Sequence, residues 1–221
     1  MEDVSISISP GETVALVGAN GVGKSTLLRI AAGLLFPSAG TVMADGFDAF
    51  AHPLRFRRFM GWLPESAPVE ADMTVKAYLR YRARLKGEMT KKIRHRILES
   101  MDLCGLTALA EERIGALSFG QRKRVGLADA ILLRPRFLFL DDLLAGLDAD
   151  TRGAVGRILA AVSSFAAVLV SGHELEELQR LSSRFAVLKD GRILAAKTAD
   201  GVRAIMAAKL PVGDGEGERR S

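Results

Sequence analysis

The clearest chemical pattern in the chain is Gly18-Ala19-Asn20-Gly21-Val22-Gly23-Lys24-Ser25-Thr26: a glycine, four free positions, then Gly-Lys-Ser. Glycines in a turn let the backbone approach an anion with no Cβ in the way. The N–H groups left free there, with a helix N-terminus behind them, direct positive charge at phosphate. Lys24 is placed to reach the outer phosphates of a nucleoside triphosphate, and Ser25 to offer its hydroxyl to Mg²⁺. Asp141 and Asp142 close the apolar run Phe137-Leu138-Phe139-Leu140, and His173 follows the run Ala167-Val168-Leu169-Val170-Ser171. A carboxylate delivered by a buried strand beside a phosphate loop can hold the cation. A lone histidine is usually an ordinary surface residue, but a strand end is where such sheets keep their ligands.

These groups need elements to hold them. Thr13-Val14-Ala15-Leu16-Val17 reads as a buried strand, and Leu27-Leu28-Arg29-Ile30 opens a helix expected to reach about Leu34. Val4 to Ser9 alternates apolar and polar, so it is expected to form a half-buried strand. Pro10-Gly11 would fold it back antiparallel on the next strand. Short strands are expected around Thr41-Val42-Met43 and at Phe59 to Leu63. From about Met73 to Ala110 the pattern is helical with Thr74 as N-cap, an α-helical lobe inserted into the sheet. Its basic residues Arg80, Arg82, Arg84, Lys86, Lys91, Lys92, Arg94 and Arg96 read first as a solvated face. The alternative is a surface for acidic headgroups. A helix follows Ser118-Phe119-Gly120-Gln121 and runs to about Leu133. Then come the strand 137–140, a helix from Asp150 to about Val162, the strand 167–171, a helix 174–181 and the strand 185–188. A hairpin at Lys189 to Arg192 and a helix from Ala199 to about Lys209 follow, and 212–221 reads as a disordered tail.

The chain of 221 residues suits one α/β core, and its net charge of +5 fits a phosphate ligand without arguing for nucleic acid. Cys104 is the only cysteine, which excludes a disulfide framework and points to a reducing compartment. No apolar run approaches the roughly 20 residues that span a bilayer. Met1-Glu2-Asp3 has no signal-peptide character. A cytoplasmic protein that reaches a membrane only through a partner is expected.

Leu117-Ser118-Phe119-Gly120-Gln121 resembles the signature motif of the ATP-binding cassette (ABC) ATPases, commonly Leu-Ser-Gly-Gly-Gln. Gly61-Trp62-Leu63-Pro64-Glu65 sits where that family has its Q-loop, and Ala145-Gly146-Leu147-Asp148 resembles the D-loop. His173 matches the H-loop, and 137–142 the Walker B strand. The motifs stand in the family's order over residues 4 to 196 or so. The resemblance implies an α/β P-loop cassette with a mixed sheet core, antiparallel strands at the N-terminus and an inserted α-helical lobe. One nucleotide-binding domain over 1–211 would divide into a core (1–66 and 122–211) and a lobe (67–121). It implies two cassettes, identical or different, closing head to tail on ATP and Mg²⁺, with transmembrane permease subunits as partners. The phosphates would be held by Gly18, Asn20, Gly21, Gly23, Lys24, Ser25 and Thr26 of one copy. Ser118, Gly120, Gln121 and Asp148 would act across the interface. Ser25, Asp141 and Glu65 would serve the metal; Asp142, His173 and Glu65 would serve hydrolysis.

Three departures from the family pattern bear on that expectation. The water-polarising residue is usually Glu, and Asp142 is one methylene shorter, roughly 1.5 Å. A misplacement of about 1 Å can cost on the order of 100-fold in rate, so slow turnover is expected. Leu143-Leu144 replaces the usual Pro-Thr or Pro-Ser, adding apolar bulk near the dimer interface. Nothing ahead of Val4 supplies the aromatic that stacks on adenine in the family, a contact worth roughly 1–3 kcal/mol. Leu63-Pro64-Glu65, with Glu for the usual Gln, resembles exporter-type cassettes. The leading expectation is the ATPase subunit of an exporter. The alternative is a nucleotide-dependent switch with little turnover. ABC ATPases acting on DNA or ribosomes have no support here, for there is no heptad insertion and no second cassette.

Overall fold

A computed structural model describes residues 4–88 and 92–208. β1 (Thr13–Val17) is buried at every residue, as a strand covered on both faces must be. A turn leads to α1 (Lys24–Ala31), whose N-cap Gly23 has φ 111°, a backbone open to glycine without steric cost. A small antiparallel hairpin of β2 (Met43–Ala44) and β3 (Phe47–Asp48) precedes α2 (Pro53–Phe59) and β4 (Met60–Leu63). Then come α3 (Val75–Leu85), α4 (Ile93–Leu103) and α5 (Phe119–Ile131). After β5 (Phe137–Leu140) follow α6 (Ala149–Ser163), β6 (Ala167–Ser171) and α7 (Leu175–Leu181). β7 (Arg184–Lys189), β8 (Arg192–Ala196) and α8 (Ala199–Ala207) end the described chain.

The main sheet runs β4-β5-β6-β1-β7-β8, parallel throughout except for β8 against β7. Alternate residues of β1 feed opposite faces. Ala15 and Val17 join the large core, while Val14 and Leu16 meet Leu27 and Leu28 of α1. Each large side chain so buried contributes roughly 1.5–3 kcal/mol. The helices α3, α4 and α5 pack on one another, and an ion cluster ties two of them. Asp129 on α5 accepts from Arg82 Nε of α3 at 3.0 Å and pairs at 2.8 Å with Nζ of Lys86, which ends that helix.

The mixed sheet is as expected, but its antiparallel parts lie elsewhere than Val4 to Ser9. That stretch forms no ladder, because β6 and β7 already occupy both edges of β1. The alternation still has physical meaning: Val4, Ile6 and Ile8 are half-buried against the smaller core, and the serines between them are exposed. α1 stops at Ala31, short of Leu34, where Gly33 turns left-handed at φ 66° and Leu34 N–H bonds back to Arg29 O. α2 was not expected. Arg82 and Lys86 leave the supposed solvated face to pair with Asp129, and Lys91 lies outside the described residues. So do Lys209 and the tail 212–221. Leu143 and Leu144 are fully buried core, so their apolar bulk is turned away from any interface. Among the described residues no helix is long and apolar enough to cross a membrane.

Candidate nucleotide site

The parallel order β4-β5-β6-β1 brings four C-terminal strand ends to one edge of the sheet. Residues distant in sequence therefore meet in space. Glu65 follows β4, Asp141 and Asp142 follow β5, His173 follows β6, and the loop 18–23 follows β1.

Asn20 and Gly21 are exposed in that loop, and Thr26 is exposed in the first turn of α1. Lys24 is buried and curls back, its Nζ donating to Gly18 O at 2.9 Å and Ala19 O at 3.0 Å. Burial lowers its pKa, while the Asp142 and Asp141 carboxylates oppose that shift. The ammonium is thus poised over the loop that would receive phosphate. Ser25 Oγ donates to Asp141 Oδ1 at 3.1 Å. The same oxygen accepts from Ser171 Oγ at 2.8 Å, and Ser171 Oγ in turn accepts the Asp142 N–H at 2.9 Å. One buried serine at the end of β6 thereby holds the Asp141 carboxylate and the Asp142 main chain just past β5.

Asp142 has a left-handed backbone, φ 43°, rare for a residue with a side chain. Its Oδ2 lies 4.0 Å from His173 Nε2. Its Oδ1 is buried with no hydrogen-bond partner. Burial raises the carboxyl above the usual range; His173 pulls it down, Glu65 and Glu174 push it up, and Lys123 pulls it down. An orphaned carboxylate oxygen at this edge is what a water-polarising group would leave when no substrate is near.

The donor chemistry fits the expected ligands. A hydroxyl and a carboxylate oxygen 3.1 Å apart suit Mg²⁺, which takes few protein ligands and completes its shell with phosphate and water. Among the described residues no group of three or more His, Cys, Asp or Glu could hold a metal by itself. Phosphate oxygens would have to supply the remainder.

Ser118, Gly120 and Gln121 stand apart from this edge, at the start of α5. They close a capping box, with Gln121 N–H donating to Ser118 Oγ at 3.2 Å and Ser118 N–H to Gln121 Oε1 at 2.8 Å. Ser118 is exposed and its hydrogen bonds are local, so it faces outward. Asp148 caps α6 through Thr151, and its carboxyl is held low by the Thr151 N–H and hydroxyl. Arg152 joins the loop before α6 to the histidine's neighbourhood, donating to Leu147 O at 2.9 Å and pairing with Glu174 at 3.2 Å.

Two residues escaped the sequence reading. Ser171 is a hydroxyl ending an otherwise apolar buried strand. Lys123 is 2% exposed, on the buried face of α5, and its Nζ donates to Glu65 O at 2.7 Å and Asp142 O at 3.2 Å. Its spacing from Leu127 and Ala130 placed it on an apolar stripe, a signal that was readable.

A phosphate loop after the central parallel strand, with a carboxylate at the end of a neighbouring strand, defines a P-loop nucleotide-binding fold. The pattern of the ABC transporter family matches residues 1–145. The chain belongs to that family, as one of its ATP-binding cassettes. It is 35% identical over 193 residues to the uncharacterized ABC transporter ATP-binding protein YxlF of Bacillus subtilis, covering 87% of this chain and 64% of that protein. The methionine import ATP-binding protein MetN of Caulobacter vibrioides is 32% identical (88% and 60% covered). The Nod factor export ATP-binding protein I of Rhizobium sp. is also 32% identical (87% and 64% covered). The chain thus spans under two thirds of these relatives' length. Among solved structures, the dimeric bacterial ABC transporter cassette MJ0796 superposes with a TM-score of 0.78 at 27% identity, covering 88% of each chain. The same cassette bound to ADP and Pi in a post-hydrolysis dimer scores 0.77 at 26% identity, again covering 88% of each chain.

Proposed function

We propose that the chain binds and hydrolyses ATP as the motor subunit of an ABC transporter, working through separate transmembrane subunits on the cytoplasmic face of a membrane. The carrying observation is the Ser25–Asp141–Ser171–Asp142 hydrogen-bond chain beside Lys24, with an unpartnered Asp142 oxygen left over. In this reading Lys24 and the loop N–H groups bind the phosphates. Ser25 and Asp141 hold Mg²⁺, which offsets the phosphate charge, and Glu65 stands beside them. Asp142 orients water and accepts its proton, while His173 contacts the terminal phosphate. A second cassette, identical or different, completes the site with Ser118, Gly120, Gln121 and Asp148. The exposed N-terminus of α5 supports that arrangement: its capping box occupies the Ser118 and Gln121 N–H groups and leaves those of Phe119 and Gly120 for an anion outside its own chain. Residues 67–121 act as the lobe carrying this surface, and 1–66 with 122–211 as the core. The dimeric MJ0796 cassette supports pairing.

Export rests on Leu63-Pro64-Glu65; the relatives above include both an importer and an exporter. A second reading, a switch that closes on ATP and turns over little, is favoured by Asp142. Its short side chain is partly buried, with its carboxyl held toward the neutral form. Steady-state hydrolysis by the purified chain, with association measured under Mg-ATP, tests both. Turnover with association supports the motor, association with negligible turnover supports the switch, and neither result would remove both.

A further inference from the structure

Two strand ends carry the expected hydrolytic groups, Glu65 after β4 and Asp142 after β5, while a helix carries Ser118. Lys123 touches all three parts. It lies two residues beyond the capping box of α5, buried at 2% exposure, with its ammonium donating to the main-chain oxygens of Glu65 and Asp142. The helix can come this close because each side of the contact offers a glycine. A Cβ on Gly61 of β4 would clash with Ala130 O of α5, and one on Gly126 of α5 would meet Leu63 of β4 at 2.8 Å. The Asp142 backbone is gripped on both sides, its N–H by Ser171 Oγ and its C=O by Lys123 Nζ. A side-chain-bearing residue at φ 43° persists only where its surroundings over-determine it.

We propose that Lys123 is a positioning residue for hydrolysis. Its ammonium holds the Glu65 and Asp142 carbonyls so that the helix presenting Ser118 and the strand ends presenting the hydrolytic groups keep one register. The proposal rests on the reading of the chain as an ATP-hydrolysing cassette. A lysine suits the place because three donors on a flexible stem can serve two carbonyls that approach from different directions. The ammonium sits against two carbonyl dipoles; burial lowers its pKa, and the Asp142, Glu65 and Asp141 side chains oppose that shift. Without it, Asp142 keeps the Ser171 bond but loses the constraint on the following peptide, and its carboxylate is free to swing.

The test is Lys123→Met, similar in volume but without donors, and Lys123→Gln, which keeps N–H donors, measured beside wild type in the full-length chain. Steady-state ATPase gives kcat and KM, equilibrium binding of Mg-ATP gives affinity, and a melting curve reports the folded fraction. The Met variant is expected to lose on the order of 10-fold or more in kcat per folded chain, with KM and affinity within about 2-fold, and Gln to fall between. If Met fails to fold, the same kcat loss in Gln carries the test. A purely structural lysine would lower the melting temperature and leave kcat per folded chain unchanged, which overturns the proposal. So would a loss confined to KM and binding. Wild-type turnover with an unaffected variant overturns the clamp alone, whereas a wild-type chain that does not hydrolyse ATP overturns the motor reading and the clamp together.

Discussion

Ser171 Oγ donates to Asp141 Oδ1 at 2.8 Å while accepting the Asp142 N–H at 2.9 Å, so one hydroxyl spaces two consecutive acids. Ser171 is 1% exposed, and water cannot readily replace it. Ser171→Ala leaves a buried N–H without a partner, at a cost of about 1–3 kcal/mol. Denaturant unfolding should report a loss in that range, and hydrolysis should fall as Asp142 loses its anchor. A variant as stable as wild type would mean that water does fill the gap.

Asp142→Glu restores the methylene expected of a water-polarising group. Its carboxylate then reaches roughly 1.5 Å farther from the same backbone. If reach limits turnover, Asp142→Glu raises kcat about 10-fold or more while Asp142→Asn abolishes it. Equal rates for Asp and Glu would show that the backbone already places the shorter side chain well.

The Asp142 carboxyl sits above the usual carboxylate range, chiefly through burial, with Glu65 and Glu174 adding to the shift and His173 and Lys123 opposing it. It therefore takes up its proton at a higher pH than an ordinary aspartate. Hydrolysis that needs the anion is complete above that pKa and is lost as pH falls through it. Glu174→Gln removes one nearby negative charge and should move the acidic limb of kcat/KM to lower pH. Movement to higher pH would contradict the assignment of Asp142 as the titrating group.

Much of this site was legible because its residues are tied to backbone grammar. β5 and β6 were readable to the residue, since continuous apolar runs closed by Asp141 and by Ser171-Gly172 can hardly end elsewhere. Thr74 was legible as a cap and caps α3, whereas the helix expected after Gln121 begins at Phe119 with Ser118 as its cap. Two failures have different causes. The period of Val4 to Ser9 predicts burial faithfully but cannot reveal that β1 has no free edge, because its occupants β6 and β7 come far later in the chain. α2 was missed because only Phe56 of its short span is buried, too little to show a period. Lys123 and Ser171 are polar residues on apolar faces. Sequence marks them as anomalies, and only the tertiary neighbours say what each one holds.

Ser118→Ala separates the two halves of the proposed site. The variant loses one cap hydrogen bond, about 1 kcal/mol, and should still fold. Lys24 and the phosphate loop are untouched, so one chain should bind Mg-ATP as wild type does. Association driven by ATP should weaken, because in the proposed arrangement the missing hydroxyl is the one that meets the partner's nucleotide. Lys24→Ala should remove both binding and association. Size-exclusion measurements with hydrolysis blocked distinguish these, and unchanged association of Ser118→Ala would place the signature stretch outside the interface.

Asp129 anchors the helical lobe, and its removal should be felt in stability before chemistry. Its side chain is 8% exposed and faces Lys86 at 2.8 Å and Arg82 at 2.9 Å. Burial lowers the Lys86 pKa; Asp129 counters that shift, and the Arg82 charge adds to it. Asp129→Ala leaves two cations facing one another in a partly closed site. Losing one partner of a buried pair costs about 3–5 kcal/mol, and the lower end applies here because Arg82 keeps much of its contact with water. Lys86→Met in the Asp129→Ala background removes the more buried of the two cations and should recover a large part of the loss. Urea unfolding of the two single variants and the double variant measures the coupling directly. An additive double variant would show that Asp129 acts through packing rather than through charge, and the lobe would then be held on the core by its apolar face alone.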